Sequence, residues 1–221
     1  MYPQLIIGFV AEGSTDYRFL ESIIQRTFED AAFECDGQIE ILPVQYFEKR
    51  IGDFYSQIEQ HAEKAYEVGI SVLCIHTDAD SETDSNAFSF KITPSFEALK
   101  SNPNEKLCKN LVPIVPIQMI EAWMLADKEL LKSEIGTQKS DFELGIHRAP
   151  ENMTDPKLVI QEAIRIGRQD LAKKRRRDLS IADLYQIIGS TINIEKLNTL
   201  SSFRKFKGAV RDALKELNYL H

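Results

Sequence analysis

Cysteine is scarce in this chain, and its few cysteines lie far apart. The 221 residues include three, Cys35, Cys74 and Cys108, and no two of them form a C-x-x-C pair. An odd number at this spacing predicts neither a zinc site nor a disulfide framework. Cys74 lies within an apolar run, which is typical of a small core residue.

Long apolar segments are absent as well. No stretch approaches the ~20 apolar residues that a membrane-spanning helix needs. The N-terminal segment, MYPQLIIGFV, lacks the basic leader of a signal peptide. We therefore expect a cytoplasmic protein that does not engage a membrane.

Positive charge is in deficit, because 27 Lys and Arg stand against 34 Asp and Glu, for a formal net charge of −7. Such a chain is not expected to coat nucleic acid with a uniformly basic surface, although a local basic patch is compatible with it. The phosphate-binding pattern G-x-x-x-x-G-K-[ST] is missing too. Any dependence on ATP would therefore have to come from another protein.

Strand and helix patterns alternate through the first half of the chain. Apolar runs at 5–10, 39–47 and 70–75 are typical of strands, and helical spacing of apolar residues follows the first two runs. This alternation predicts an α/β fold with a mostly parallel, Rossmann-like sheet flanked by helices. A further helix is predicted at 119–131, after which the chain is more polar and helical. We therefore expect a core at 1–131 and a helical extension packed on it at 132–221.

Acidic residues follow two of these predicted strands. Glu12 follows the first, and Asp78 and Asp80 follow the third. Ligands gather beyond the carboxyl ends of parallel strands, and alternate residues of an extended segment point the same way. We therefore expect the three carboxylates to converge as catalytic residues and metal ligands. Oxygen ligands favour Mg²⁺, with Mn²⁺ as a substitute, and such a centre supports phosphoryl transfer.

The same residues also have plainer explanations. A D-x-D pair arises often by chance, and a glycine after a strand, as in Glu12-Gly13, is typical of a turn. Trp123 is more typical of a core anchor than of a base-stacking platform. His76 lies two residues before Asp78, so in an extended segment its side chain points to the same side as those of Asp78 and Asp80. There it would either contact phosphate or serve as a structural histidine.

A basic run stands out in this acidic chain. Its members are Lys173, Lys174, Arg175, Arg176 and Arg177. One interpretation is a nucleic-acid-binding arm that brings the phosphate backbone to a site which would otherwise repel it. The other is a solvated helix, since consecutive residues fan around more than one helical face.

The segment V-A-E-G-S-T-D-Y-R-F-L at 10–20, with D-A-D at 78–80, resembles the Toprim domain of topoisomerases, primases and nucleases of the overcoming-lysogenization-defect group. That family carries a Glu after its first strand and a D-x-D after its third, with Mg²⁺ between them. The resemblance places Glu12, Asp78 and Asp80 at these positions. It also implies that Asp16, which matches a second acidic residue of the nuclease group, is a metal ligand.

A second pair of segments narrows this resemblance. V-P-I-V-P-I-Q-M-I-E-A-W-M-L-A-D at 112–127 and A-P-E-N-M-T-D-P-K at 149–157 are similar to those of small stand-alone Toprim-like bacterial proteins, often encoded beside an ATPase. Within the first segment, Glu121 is a further candidate metal ligand. Its alternative role is to favour the N-terminus of a helix.

The function implied by the resemblance is a Mg²⁺-dependent nuclease that hydrolyses phosphodiester bonds of DNA or RNA, as a phage-defence or mobile-element effector. The chain is too short for the tyrosine-bearing domain of a topoisomerase and lacks the zinc module of a primase. The alternative is a non-catalytic or conditionally active partner subunit, regulated by a separate ATPase. A homodimer is compatible with the sequence, although no heptad pattern predicts one.

Overall fold

A computed structural model of the chain describes residues 2–48, 50–176 and 178–221. Its strands are β1 (Gln4–Leu5), β2 (Ile7–Val10), β3 (Glu40–Ile41), β4 (Gln45–Phe47), β5 (Val72–His76) and β6 (Leu111–Ile114). A sheet in the order β4-β2-β5-β6 joins parallel neighbours throughout, and β1 and β3 form a separate parallel pair. The predicted α/β class, a mostly parallel sheet flanked by helices, is confirmed.

Helices occupy most of the remaining described chain. They are α1 (Ser14–Ala32), α2 (Phe54–Glu67), α3 (Ser85–Ala87), α4 (Thr93–Ser101), α5 (Glu121–Met124), α6 (Lys128–Ile135), α7 (Pro156–Gly167), α8 (Lys173–Arg176), α9 (Ile181–Thr191), α10 (Ile194–Leu197) and α11 (Ser201–Glu216). A π-helical turn at Phe88–Ile92 joins α3 to α4, and a 3₁₀ turn covers Pro150–Asn152. In this described part of the chain, no helix has both the length and the apolar character needed to cross a membrane.

The central strands are buried on both faces, which explains their nearly continuous apolar sequence. In β5, Val72 and Cys74 pack into a core shared with α1, α9 and α11, whereas Leu73 and Ile75 pack into a second core with α2 and α4. Successive side chains of a strand point to opposite faces, so the four positions from Val72 to Ile75 meet apolar neighbours on alternate faces. This layering places the strand ends, and whatever follows them, at one edge of the sheet.

Two predicted elements are broken in the structure. The segment 119–131, predicted as one helix, forms α5 and α6, because the chain leaves the helical path at Asp127. The Asp127 carboxylate then caps α6 by accepting a hydrogen bond from the Leu130 amide at 3.2 Å. The predicted strand at 39–47 is split into β3 and β4 around Pro43, which cannot donate to a strand ladder.

The predicted division at residue 131 falls inside α6. Helices on both sides of it contribute to the larger core, in which Phe19 of α1 and Trp123 of α5 are buried together with Tyr185 of α9 and Phe206 of α11. The indole Nε1 of Trp123 donates to Ser202 Oγ at 2.8 Å, so this residue is the expected core anchor. The assignment of 1–131 and 132–221 to a core and an extension stays a prediction.

Helices α1 and α9 approach each other closely at Gly189. A Cβ atom added to Gly189 would lie 2.2 Å from the carbonyl oxygen of Phe19, which is far inside van der Waals contact. Arg26 of α1 reinforces the approach by donating to the carbonyl oxygens of Gly189 and Ile192, both at 2.7 Å. Glycine is therefore required at this position by backbone proximity rather than by its dihedral angles.

The carboxylate of Glu151 caps the N-terminus of α11. Glu151 accepts hydrogen bonds from the amide and hydroxyl of Ser201, at 2.9 and 2.8 Å, and from those of Ser202, at 2.8 and 2.6 Å. Burial opposes ionisation of Glu151, but these four hydrogen bonds outweigh it and hold its pKa below the usual value. The segment A-P-E-N thus supplies the N-terminal cap of the final helix.

The contact at Gly189 predicts that Gly189→Ala lowers the free energy of unfolding by about 1–3 kcal/mol, because the methyl group forces α9 away from α1. The matched control is Gly208→Ala in α11, where a Cβ would meet no atom within 4 Å. That variant should gain about 0.5–1 kcal/mol, the usual advantage of alanine over glycine within a helix. Urea unfolding followed by circular dichroism measures both, and equal effects of the two variants would contradict the packing argument.

The cap at Glu151 predicts that Glu151→Gln lowers the free energy of unfolding at pH 7 by about 1–3 kcal/mol, the usual cost of spoiling buried hydrogen bonds to a charged group. Because the folded pKa lies below the unfolded one, about 4.3, the carboxylate stabilises the fold above that pH and loses its contribution as the pH falls through the folded pKa. The difference between wild type and variant should therefore shrink below about pH 4. Glu143→Gln is the control, since Glu143 makes similar bonds to Ser140 but is exposed. A difference that persists unchanged at low pH would contradict this account.

Candidate functional site

The carboxyl ends of the two central strands lie side by side. Val10 of β2 is level with Ile75 of β5, so two residues further on Glu12 lies opposite Thr77. The Thr77 hydroxyl donates a 2.7 Å hydrogen bond to Glu12 Oε1. Parallel pairing therefore brings Glu12 to the edge of the sheet where the predicted Asp pair begins.

Asp16 reaches the same edge from the first turn of α1. Its carboxylate accepts the Gly13 amide at 2.8 Å and the Thr15 hydroxyl at 3.2 Å, which fixes its direction. Asp16 Oδ2 lies 3.8 Å from Nδ1 of His76. An acidic residue in the first turn of a helix interacts favourably with the positive end of the helix dipole, so Asp16 suits its place in α1.

His76 lies between two of the predicted ligands. On the side opposite Asp16, its Nε2 is 3.3 Å from Asp78 Oδ1, because His76 and Asp78 share one face of the extended chain. The ring is buried, and within the described chain neither ring nitrogen nor Asp78 Oδ1 makes a hydrogen bond of good geometry. These atoms retain capacity for another partner.

The charges around His76 shift its ionisation. Burial lowers the pKa of the imidazole, but the nearby carboxylates of Asp78, Asp16 and Glu12 outweigh burial and leave the pKa above its usual value. Burial also raises the pKa of Asp78, partly opposed by its contact with His76. A positively charged His76 is thus favoured by the acidic group that surrounds it.

Glu121 approaches this group from α5. It is only 4% exposed, and the Tyr185 hydroxyl of α9 donates a short hydrogen bond to its Oε1. Lys157 Nζ, at the start of α7, lies 3.9 Å from the same oxygen. Burial raises the pKa of Glu121 against the effects of Tyr185 and Lys157, and the charge of Asp78 adds to the rise. Glu121 therefore belongs electrostatically to the same acidic group.

Asp80 differs from its neighbours. Its φ angle is +49°, in the left-handed region, and its amide donates to the carbonyl oxygen of Gln118 at 3.0 Å. The alternation that was expected to align Asp80 with Asp78 therefore ends at Asp80, whose side chain is exposed. The backbone of Gln118 is also left-handed, with a φ angle of +60°. The segments that carry Asp80 and Gln118 therefore both change direction where they are hydrogen-bonded to each other. A ligand role for Asp80 stays a prediction.

The metal-binding capacity of this edge is that of an open site. In the described residues, no three or more His, Cys, Asp or Glu side chains are arranged to hold a metal ion. Mg²⁺ nevertheless needs only one or two protein carboxylates, with water and substrate oxygens filling its other positions. Asp16 and Asp78 lie on either side of His76, and within the described residues Asp78 Oδ1 has no hydrogen-bond partner, so Asp78 keeps an oxygen free for such an ion.

Three residues of this edge were missed by sequence reasoning. Thr77 positions Glu12, Tyr185 positions Glu121, and Lys91 extends from the π-helical turn until its Nζ lies 3.5 Å from Thr77 Oγ1. No local pattern marks Tyr185 or Lys91, since each arrives from an element distant in sequence. A π-helical turn, which often accompanies functional sites, cannot be read from the residues alone.

The basic run lies outside the contacts described above. Lys173, Lys174 and Arg175 are exposed on α8; the side chain of Arg176 and the whole of Arg177 fall outside the described residues. The run leads into α9, and Arg18 of α1 contacts the carbonyl oxygen of Ala182 in its first turn at 3.4 Å. The basic run is therefore joined to α9, whose first turn contacts α1 at Arg18, two residues after Asp16.

Comparison with family models finds a match over residues 11–206 to the family described as "Domain of unknown function (DUF4276)". The chain belongs to this family. The match contains Glu12, Asp16, the Asp pair and Glu121, and it continues past residue 131 into α11. Searches of curated proteins and of solved structures found no match. The Toprim resemblance stays a prediction.

The carboxylates around His76 predict a measurable change in its ionisation. In metal-free protein, NMR titration of the imidazole should give a pKa above 6.5 in the wild type, and Asp78→Asn should lower it, because the variant removes a negative charge 3.3 Å from Nε2. Asp16→Asn should lower it less, at 3.8 Å. Buried His61, whose pKa is lowered to about 4 by burial, provides an internal reference that should not move. The control is Glu129→Gln, at an exposed position of α6. If His76 titrates in Asp78→Asn as it does in this control, the assignment is contradicted.

Proposed function

We propose that this chain is a Mg²⁺-dependent nuclease that hydrolyses phosphodiester bonds of DNA or RNA. The observation that carries the proposal is the convergence of Asp16 and Asp78 on His76, beyond the carboxyl ends of two parallel strands. Open α/β sheets bind ligands in this crevice. One or two carboxylates are the donor set that Mg²⁺ uses when phosphate oxygens and water complete its shell, and within the described residues Asp78 Oδ1 makes no hydrogen bond.

Asp16 and Asp78 would hold the ion, and Glu12, Asp80 and Glu121 would support it directly or through water. A bound Mg²⁺, or Mn²⁺ in its place, would neutralise the phosphate and make water more nucleophilic. Glu12, exposed and held by Thr77, is placed to accept a proton from attacking water.

Positive groups border the acidic ones. Lys91 lies beside Thr77 on one side, and Lys157 lies beside Glu121 on another. Ammonium groups at these places would attract a phosphate diester that the carboxylates alone would repel. His76, with its raised pKa, adds a buried positive charge between Asp16 and Asp78.

The basic run supports the same proposal at longer range. Its exposed side chains precede α9, which begins next to the helix that carries Asp16. We assign it the role of an arm that follows the nucleic-acid backbone towards the site. Arg168 steadies the segment by donating to the carbonyl oxygens of Ile135 and Arg175, at 3.1 and 2.6 Å.

The biological setting proposed here is that of a bacterial defence or mobile-element effector, as the Toprim resemblance implies, with a separate ATPase as its partner. The alternative is a subunit that is non-catalytic, or active only when that ATPase is bound. Both share the fold and the acidic edge. They differ in whether the purified chain cleaves nucleic acid by itself.

We expect purified protein to cleave plasmid DNA, single-stranded DNA or tRNA in Mg²⁺ or Mn²⁺ and to lose cleavage in EDTA. Asp78→Asn and Asp16→Asn should each reduce the rate about 100-fold or more, since even residues that only support metal ligands contribute about 10–100-fold. Glu12→Gln should also reduce it, whereas Asp80→Asn, at an exposed left-handed position, should reduce it less.

The control for these variants is Asp170→Asn. The Asp170 carboxylate is exposed and pairs with Lys139, and neither residue contacts the acidic edge in the contacts described above. Its rate should equal that of the wild type. Metal-dependent cleavage that survives both Asp16→Asn and Asp78→Asn would refute the site. Cleavage that appears only after addition of an ATPase encoded nearby would favour the partner-subunit alternative.

A further inference from the structure

A cavity of about 200 Å³ lies next to the acidic edge, between the ends of β2 and β5 and one face of α2. The α2 residues that line it are Phe54, Gln57, Ile58 and His61, which recur at the spacing of a single helical face. Glu12, His76 and Lys91 line its other side. The cavity therefore shares a wall with the site described above.

His61 is the unusual residue of this cavity. Its side chain is fully buried, yet within the described chain neither ring nitrogen has a hydrogen-bond partner. The edge of the Phe47 ring packs against it, with centroids 6.2 Å apart. Unpaired buried polar groups cost stability, so an apolar residue would serve the core better unless a ligand supplies the missing partner.

The chemistry of the lining matches a flat ring with a polar edge. Val10, Ile58 and Ile75 provide apolar walls, and Phe54 provides an aromatic face. His61 and Gln57 provide donors and acceptors one helical turn apart; burial lowers the pKa of His61 to about 4, so its ring is neutral and offers one of each. Nucleobases combine apolar faces with a hydrogen-bonding edge, and proteins hold unstacked bases by this combination of contacts.

The size of the cavity agrees with this ligand. At about 200 Å³ the cavity has room for one flat ring system of this kind. The sugar and phosphate would then remain outside, beside Glu12 and Lys91. That is the edge at which the proposed metal centre would meet a phosphate.

A larger cleft of about 760 Å³ carries no comparable argument. It lies at the far end of α1, around Tyr2, Phe33 and Ile39. Its lining residues of α1 begin at Glu29, which the rise of the helix separates from Asp16 by about 20 Å. Among the described residues, none of its lining side chains has a buried nitrogen or oxygen without a partner.

We propose that the cavity between α2 and the ends of β2 and β5 binds one unstacked nucleobase of the substrate, with His61 and Gln57 contacting its polar edge. The inference rests on the proposed nuclease function. It deepens that function by assigning the substrate class: a single strand, or a duplex from which one base is turned out. Duplex DNA with every base stacked would not fill the cavity.

The test is binding of a short single-stranded oligonucleotide in which one abasic site is moved through successive positions. Ca²⁺ replaces Mg²⁺, so that binding is measured without cleavage. At one position the missing base should weaken binding to wild type about tenfold, the usual contribution of one bound base. In His61→Leu this position dependence should disappear while the thermal midpoint stays equal or rises, because the variant removes unpaired buried nitrogens.

Gln57→Leu is the second variant. Gln57 is half-buried on the same face of α2, so this variant tests the site even if His61→Leu does not fold, and it should weaken the position dependence. His147→Leu is the control, since His147 is exposed on another part of the molecule. The inference would be overturned if no abasic position weakens binding to the wild type. It would also be overturned if both cavity variants keep the position dependence of the wild type. The Mg²⁺ cleavage assay separates the two proposals: cleavage without a sensitive position refutes only the base site, and a sensitive position without cleavage refutes only the nuclease.

Discussion

The register between β2 and β5 is the constraint on which the acidic edge depends. Because the two strands are parallel and level at Val10 and Ile75, the residues that follow them emerge together, Glu12 opposite Thr77. A shift of one residue would turn every side chain beyond the strands to the other face. Burial of both strands on both faces makes such a shift costly, so the apolar core determines the relative positions of the polar groups.

Concentrating carboxylates at one edge raises an electrostatic cost, and the fold offsets it with groups from several elements. His76, buried between Asp16 and Asp78, gains a raised pKa from these neighbours. Glu121 is held by Tyr185 and lies near Lys157. The remaining repulsion is of the kind that a divalent cation relieves, and the unpaired atoms around His76 are compatible with a site completed by a ligand.

Several residues of the two motif segments have structural roles that their sequence similarity does not reveal. Glu151 caps α11, Asp127 caps α6, and Trp123 is joined to Ser202, which in turn donates to Glu151. The contacts of Trp123 and Glu151 with Ser202 join α5 and the 3₁₀ turn at Pro150–Asn152 to α11, whereas the Asp127 cap is local to α6. The contacts of these segments therefore serve packing as well as the acidic edge, where Glu121 meets Tyr185 and Lys157 and the carbonyl oxygen of Gln118 accepts the amide of Asp80.

The sequence by itself determined the parallel α/β architecture and the placement of Glu12 and Asp78 after neighbouring strands, because apolar periodicity and strand ends are local properties. Asp16 required a resemblance between families as well. Tertiary structure alone decided that Asp80 adopts a left-handed conformation, that one predicted helix divides at Asp127, and that Lys91 and Tyr185 join the edge. It also left His61 buried beside a cavity, with no hydrogen-bond partner among the described residues. Such features depend on contacts between residues far apart in the chain, whose energies are not encoded in the pattern of any single segment.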